Sequence, residues 1–532
     1  MNQTVANTLY YGDNLPILKA YVADSSVDLI YLDPPFNSNA SYDVLLKSPG
    51  GQDSAAQIEA FDDSWHWNAA SELAFDAVMT SSNSDAAHVM AAFLSFLKRN
   101  DLMAYLAMMA VRLLELHRVL KPTGSIYLHC DPTASHYLKI LMDAVFGKEN
   151  YRNEITWQRT SAHSDGTRWG KNTDVILFYS KSEAWTWNKL YVPYEEKYLS
   201  RFRFSDADGR KWMDDNASAK GLSGGGYQYD YNGAVSLWRY PLETMQRLDA
   251  EGRLHFTKTG GIRLKRYLDE AKGSLPQALW TDIPPINSQA AERLGYPTQK
   301  PIALLERILS ASSRPGDIVL DPFCGCGTSV HAAQLLGRSW IGIDVTHLAI
   351  GLVRRRLIDA FPRAQFEVRG VPRDMGGARE LAGADKHEFQ LFAVSMIEAQ
   401  PFKGGRKGPD GGVDGYLYFK PDGKNVEKAV VSVKGGGKVG VGMIRDLIAT
   451  IDREKAKIGI FLTLEDPTAN MRREASAAGF YDSPLHGKFE KIQILTFEDL
   501  FEGKRPHLPW IDSSVFRKTQ RAPVAGQENL DI

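Results

Sequence analysis

Two apolar, β-branched runs along this chain each break off into a loop of unusual chemistry. Val27-Asp28-Leu29-Ile30-Tyr31-Leu32 leads into Asp33-Pro34-Pro35-Phe36, and Asp317-Ile318-Val319-Leu320 leads into Asp321-Pro322-Phe323-Cys324-Gly325-Cys326-Gly327. Apolar runs with little alternation fit strands buried on both faces, as in a parallel sheet. The pattern between them is helical. Asn14 to Ala23 is a short helix, Ser71 to Leu120 is largely helical, and Leu102 to Leu116 is apolar on most sides, as expected of a helix packed on a sheet. Lys121-Pro122-Thr123-Gly124 ends it, and Ser125 to Cys130 is the next strand. Strands alternating with helices predict an α/β domain, with both loops at the C-terminal ends of strands, where open sheets of this class bind ligands.

The pattern changes between 184 and 290. Trp185, Trp212, Tyr227, Tyr229, Tyr231 and Trp238 are interleaved there with Arg201, Arg203, Arg210, Lys211, Arg263, Lys265 and Arg266. This segment reads as an inserted recognition module; the alternative is an α+β insert whose aromatics form a small core of their own. The α/β pattern resumes after it, so residues 1–183 and 291–370 form one domain. Residues 371–385, with Pro372, Gly376, Gly377 and Gly383, read as a linker. Residues 386–512 read as a second globular unit, and 513–532 as a disordered tail.

Composition narrows the classes. The 532 residues contain no apolar run long enough to span a membrane, and the N-terminus lacks a basic-then-apolar leader. Three cysteines, Cys130, Cys324 and Cys326, fit a reducing cytoplasm. A formal net charge of −1 neither supports nor excludes a nucleic-acid partner, because a local basic face can be balanced elsewhere.

In the second loop, glycines let the backbone turn tightly beside a ligand, and Thr328 and Ser329 open a helix whose N-terminus favours an anionic group. Asp344 ends the next strand, Ser339 to Ile343, about 20 residues on, where a carboxylate can bind ribose hydroxyls. The spacing is not the dinucleotide pattern. In the first loop, the Asp33 carboxylate and the Pro34 carbonyl offer two acceptors for the hydrogens of an exocyclic amine, freeing its lone pair for in-line attack. The two prolines stiffen the turn, and Phe36 can stack on a base taken out of a duplex. Two thiols in the cofactor loop make a poor metal site and read as small buried neighbours of the cofactor.

These motifs, in this order, resemble those of DNA amino-methyltransferases dependent on S-adenosylmethionine, of the β arrangement in which the catalytic motif precedes the cofactor motif. Tyr296-Pro297-Thr298-Gln299-Lys300-Pro301 is similar to that family's segment at the methionine end of the cofactor. Tyr11-Gly12-Asp13-Asn14 is similar to its segment near the adenine. The resemblance covers most of residues 8 to 360. It implies a Rossmann-like methyltransferase sheet with target recognition at 184–290. Asp33, Pro34, Pro35 and Phe36 are then the catalytic residues, and Asp13, Thr298, Lys300, Asp321, Phe323, Gly325, Gly327, Thr328 and Asp344 bind the cofactor. Aspartate before Pro-Pro implies adenine N6 of duplex DNA as the target, with cytosine N4 as the alternative.

In the second unit, Asp414, in Gly411-Gly412-Val413-Asp414-Gly415, leads to a strand carrying Lys434. This resembles the Mrr-type restriction-endonuclease-like α/β core. The resemblance implies an Mg²⁺ site at Asp414, with Glu388 or Glu398 as a further ligand and Lys434 as the nuclease's catalytic lysine. Ser432 stands where that family usually has Glu or Gln, which puts cleavage in question. The reading is therefore a prokaryotic, nucleoid-associated enzyme of the cytoplasm acting on duplex DNA as a homodimer or with a restriction subunit. The alternatives are a single-chain restriction-modification enzyme, a non-catalytic DNA-binding protein, or a methyltransferase acting on RNA or a protein amide.

Overall fold

The computed structural model describes residues 7–509 apart from 36–40, 48–52, 63–65, 161–168, 220–224, 288–289, 291, 295, 297, 403–410 and 423–424; for 41–47, 53–62 and 348 it describes the backbone alone. The tail expected at 513–532 lies outside the described residues. The chain divides into a main unit, 1–188 with 278–532, and an inserted unit, 189–277.

The main unit is built on a nine-stranded sheet. Its strands are β1 (Thr8–Tyr11), β2 (Val27–Leu32), β3 (Leu120–Cys130), β4 (Tyr151–Gln158), β5 (Thr173–Ser180), β6 (Leu279–Trp280), β7 (Ile318–Asp321), β8 (Ser339–Asp344) and β9 (Glu367–Arg369), in the spatial order β6-β4-β5-β3-β2-β7-β8-β1-β9. Pairing is parallel throughout except at β5, which runs antiparallel to both β3 and β4. The apolar run of β2 is explained by its central position: Leu29 and Ile30 sit beside Val319 and Leu320 of β7 on one edge and beside Ser125 and Ile126 of β3 on the other.

Helices cover both faces. α1 (Asn14–Tyr21) and α2 (Asp101–Val119) lie on one face, where Met103, Leu106, Met109, Leu113 and Leu116 of α2 are fully buried. The methionines of α2 are thus core residues, and the Asn100 side chain caps its N-terminus by accepting from Met103 N at 2.9 Å. On the other face are α3 (Ile302–Ser312), α4 (Thr328–Leu335) and α5 (His347–Ala360), packed around Leu305, Trp340 and Val353.

The stretch expected to be a linker carries a helix, α6 (Met375–Ala384). Asp374 caps it, accepting from Gly377 N at 2.9 Å, and Ala378 and Ala382 are buried with Phe389. The small side chains at 378 and 382 fall on one helical face, and burying that face offsets the low helix propensity of three glycines. α7 (Lys386–Met396) follows. The sheet after it has the order β10 (Gln400–Pro401), β11 (Gly415–Phe419), β12 (Glu427–Lys434), β13 (Ile458–Thr463), β14 (Ile492–Thr496). β12, β13 and β14 are parallel, and α8 (Val441–Arg453) buries Ile444, Leu447 and Ile451.

The inserted unit has a four-stranded antiparallel sheet, a hairpin formed by Tyr227–Tyr231 and Ala234–Trp238, and a helix, Leu242–Ala250. Several of its aromatics build its own core: Tyr231 and Trp238 pack with Met245, Leu254, Ile262 and Leu264. Most of the cations singled out in its sequence are paired internally. Arg210 meets Asp269 and Glu270, Lys265 meets Asp206 at 2.8 Å, and Arg266 meets Asp215 at 3.1 Å. This is the arrangement weighed as the alternative to a recognition surface, and it accounts for much of the aromatic and basic density. Tyr191, Tyr227 and Phe256 remain exposed.

Candidate active site

The C-terminal ends of four neighbouring strands, β2, β7, β8 and β1, open into one cavity of about 920 Å³. Residues 33 and 321, far apart in sequence, meet because β2 and β7 are adjacent. Asp33, Pro34 and Pro35 line the cavity from the end of β2; Phe36 lies outside the described residues. The Asp33 carboxylate is mostly buried, and its Oδ2 accepts from Lys300 Nζ at 2.5 Å. The segment expected at the methionine end of the cofactor therefore also touches the loop of Asp33. Thr298 lines the same wall.

From β7, Asp321 accepts from Phe323 N at 3.0 Å and from the Ser329 hydroxyl of α4. Burial, with the negative charges of Asp33 and Asp344 nearby, pushes its carboxyl up to about 7. Phe323, Gly325 and Thr328 line the cavity. Gly327 does not reach it; its role is the turn. It sits at φ +74° as the N-cap of α4, and its carbonyl accepts from His331 N at 2.9 Å. Cys324 and Cys326 are buried free thiols in this loop. Buried Arg356 of α5 holds the loop from behind, donating to Cys326 O at 3.1 Å and to Thr328 Oγ1 at 3.0 Å.

Asp344, at the end of β8, accepts from Thr346 N and Oγ1 and from Gly325 N, each at 2.9 Å. Burial pushes its carboxyl up to about 6. Asp13, after β1, caps α1 and pairs with Arg112 at 2.7 Å. Arg112 also donates to Asn14 Oδ1 at 2.5 Å, and Asn14 Nδ2 donates to Pro322 O at 2.7 Å. The loop after β1 is in this way tied to the loop after β7. Sequence reasoning missed Arg112, although a lone arginine in the apolar stretch of α2 was the available signal.

Behind Asp33 lies a buried network that sequence reasoning also missed. The Tyr31 hydroxyl is 2.9 Å from His129 Nδ1, and His129 Nε2 is 3.1 Å from Asp174 Oδ2. With the carboxylate accepting from Nε2–H, Nδ1 is left as the acceptor for Tyr31, so one protonation pattern holds the strand that carries Asp33. Burial pushes the Asp174 carboxyl up, but the hydrogen bond to His129, helped by the positive charges of Lys300 and Arg159, outweighs it and holds the carboxyl below its usual range.

The cavity fits S-adenosylmethionine by the chemistry of its donors and acceptors. Asp13 and Asp344 could accept from ribose hydroxyls and an adenine amine, and Lys300 and the N-terminus of α4 could meet a carboxylate. An ionised carboxylate accepts from hydroxyls more strongly than a protonated one, so if Asp344, whose carboxyl is raised to about 6, takes the ribose, cofactor affinity should be full at about pH 8 and weaken as pH falls through about 6. Calorimetric titration across that range checks this, and Asp344→Asn should flatten the acid limb.

The second unit is arranged differently from expectation. Asp414 Oδ1 accepts from Gln390 Nε2 and Oδ2 from Val433 N, each at 2.5 Å. Glu388 and Glu398, expected as further metal ligands, are turned to the other domain, where they bond Tyr11 and Arg355. No group of three or more His, Cys, Asp or Glu side chains placed to hold a metal occurs among the described residues. One carboxylate already taken by two donors, with Ser432 beside it, does not fit an Mg²⁺ site.

Residues 27–352 match a family model described as DNA methylase, and residues 381–500 match one described as restriction endonuclease. The type II methyltransferase M.EcaI of Enterobacter cloacae is 31% identical over 390 residues, covering 72% of this chain and 76% of that protein. The Mod subunit of the type III restriction-modification enzyme StyLTI of Salmonella typhimurium is 28% identical over 354 residues; the match covers 63% of this chain and only 51% of that protein. The DNA adenine methyltransferase YhdJ of Escherichia coli K12 is 25% identical over 361 residues, covering 66% of this chain and 83% of that protein.

Proposed function

The chain belongs to the DNA methylase family and is an S-adenosylmethionine-dependent DNA methyltransferase, and from that premise we propose that its target is N6 of an adenine turned out of the duplex. The observation that carries this is the convergence of the Asp33-Pro34-Pro35 turn with the Asp321 and Asp344 loops on one cavity. The similarity to a protein named as an adenine methyltransferase adds support.

The cofactor, when bound, supplies an electrophilic methyl group on a sulfonium. Lys300 orients the Asp33 carboxylate through Oδ2, and that carboxylate accepts one amine hydrogen while the Pro34 carbonyl accepts the other. The amine lone pair is thereby withdrawn from the ring and aimed at the methyl. Asp33 then takes the proton that the methylated nitrogen sheds. Strong base is not required, because the proton leaves only after the new N–C bond has made the nitrogen acidic. Asp13, Asp344 and the α4 N-terminus hold the cofactor, while Arg112, Asn14 and Arg356 keep their loops in register.

The test presents unmethylated genomic DNA, total RNA and a protein mixture together with the methyl donor. Transfer to duplex DNA at a recurring sequence, read by single-molecule sequencing, is the expected result; transfer to RNA or protein alone would overturn the proposal.

Match to a restriction-endonuclease model raises a second activity, and the surroundings of Asp414 argue against it. We expect no Mg²⁺-dependent nicking of supercoiled plasmid by the full-length protein. Nicking that disappears in Lys434→Ala would contradict this and restore the single-chain restriction-modification reading. A separate restriction subunit is then the protein partner that a restriction role requires, with the enzyme working at the nucleoid.

A further inference from the structure

Glu388, on α7 of the endonuclease-like domain, lines the same cavity as Asp13, Asp344 and Thr346 of the methyltransferase domain. Two features fix it there. The Tyr11 hydroxyl, at the end of β1, donates to Glu388 Oε2 at 2.6 Å, and the Tyr11 ring stacks on His347 of α5 with centroids 3.9 Å apart. His347 in turn meets Phe392 of α7 at 5.7 Å, and Arg355 pairs with Glu398, so α7 is clamped to α5 near both of its ends. The domain joint therefore runs along the rim of the cofactor site.

The rim is incompletely satisfied. His347 Nε2 is buried without a hydrogen-bond partner and lies 3.8 Å from Glu388 Oε2, beyond hydrogen-bond reach. Burial holds the imidazole down to about 4, so it stays neutral and does not compensate the carboxylate. Three carboxylates, Asp13, Asp344 and Glu388, thus share one end of the cavity, while Arg112 pairs with the first of them. A ligand rich in hydrogen-bond donors is what such a rim accepts, since acceptors set close together repel one another until donors arrive.

We propose that the cofactor pocket is completed by the second domain, with Glu388 accepting a hydrogen bond from the adenosine end of S-adenosylmethionine. The proposal rests on the methyltransferase reading of the cavity. It gives the endonuclease-like domain a role that needs no metal: it supplies part of the cofactor site, so its docking and cofactor binding reinforce each other.

Calorimetric titration of S-adenosylmethionine into the full-length wild type, Glu388→Ala, Glu388→Gln and Tyr11→Phe tests this. The expected result is a Kd raised about 10- to 100-fold in Glu388→Ala, as for loss of a hydrogen bond to a charged acceptor. A smaller rise is expected in Glu388→Gln, which keeps one acceptor oxygen, and in Tyr11→Phe, which keeps the carboxylate. Three cofactor analogues, lacking in turn the adenine amine, the ribose 2′-hydroxyl and the ribose 3′-hydroxyl, identify the contact. The analogue that wild type and Glu388→Ala bind alike lacks the donor in question. Equal Kd values for S-adenosylmethionine in wild type and Glu388→Ala would overturn the proposal. So would a loss of the same size with the natural cofactor and all three analogues, because that pattern marks a purely structural joint. Should Glu388→Ala fail to fold, the near-isosteric Glu388→Gln carries the same comparison. A wild type that binds no S-adenosylmethionine would instead refute the underlying reading.

Discussion

Asp33→Ala is expected to lower single-turnover methyl transfer by about 10³-fold or more while leaving the Kd for S-adenosylmethionine within about threefold. The carboxylate is proposed to act on the target amine, not on the cofactor, so its loss falls on the chemical step. The variant has a side effect. Lys300, nearly buried, loses the carboxylate that now sits 2.5 Å away, so the alanine variant is also expected to be less stable. Asp33→Asn separates the two effects, because the amide keeps the shape and an oxygen for Lys300. It should retain more stability than the alanine variant yet still lose about 10²-fold in rate, since a neutral amide oxygen is a weaker acceptor for the amine. Single-turnover assays paired with thermal denaturation make the comparison. Transfer at close to the wild-type rate in both variants would remove Asp33 from the mechanism.

Gly327→Ala is expected to be the most damaging single-atom-scale change in the cofactor loop. The residue sits at φ +74°, where a side chain costs about 1–2 kcal/mol, and an added Cβ would stand 2.7 Å from Val353 Cγ2 and 3.0 Å from Cγ1. Overpacking of that kind adds about 1–3 kcal/mol. Gly327 caps α4, and the neighbouring Gly325 N donates to Asp344, so relief by moving the loop disturbs the proposed ribose acceptor as well. The expected outcome is a melting temperature lowered by several degrees and a cofactor Kd raised about 10-fold or more. Unchanged melting and unchanged Kd would mean that the loop tolerates displacement and that its tight turn is not what shapes the pocket.

The residues legible in the sequence were those whose chemistry is local. Asp33, Asp321 and Asp344 each follow a short apolar run, and the run fixes their place at a strand end before any contact is known. Their meeting in one cavity followed from topology, because parallel strands present their C-terminal ends together. The residues that stayed hidden act across the sheet or across domains. His129 and Asp174 pair only because β3 lies next to β5, a neighbour relation that no spacing announces. Glu388 and Glu398 read as metal ligands for Asp414 because they are acids on the preceding helix, but the docking of α7 on α5 turns them toward Tyr11 and Arg355. Glycine content disguised α6, where burial of Ala378 and Ala382 decides the conformation. In the inserted unit, the aromatic and basic composition was visible, but its division between core, ion pairs and open surface depends on tertiary packing.

The central claim is that this cavity methylates an adenine amine in DNA. Incubating the full-length protein with S-adenosylmethionine carrying a labelled methyl group and mixed genomic DNA, then digesting to nucleosides, tests it directly. Label in N6-methyladenine, lost in Asp33→Ala, is the predicted result. Label in N4-methylcytosine, or none in DNA from a protein that demonstrably binds the cofactor, would contradict it.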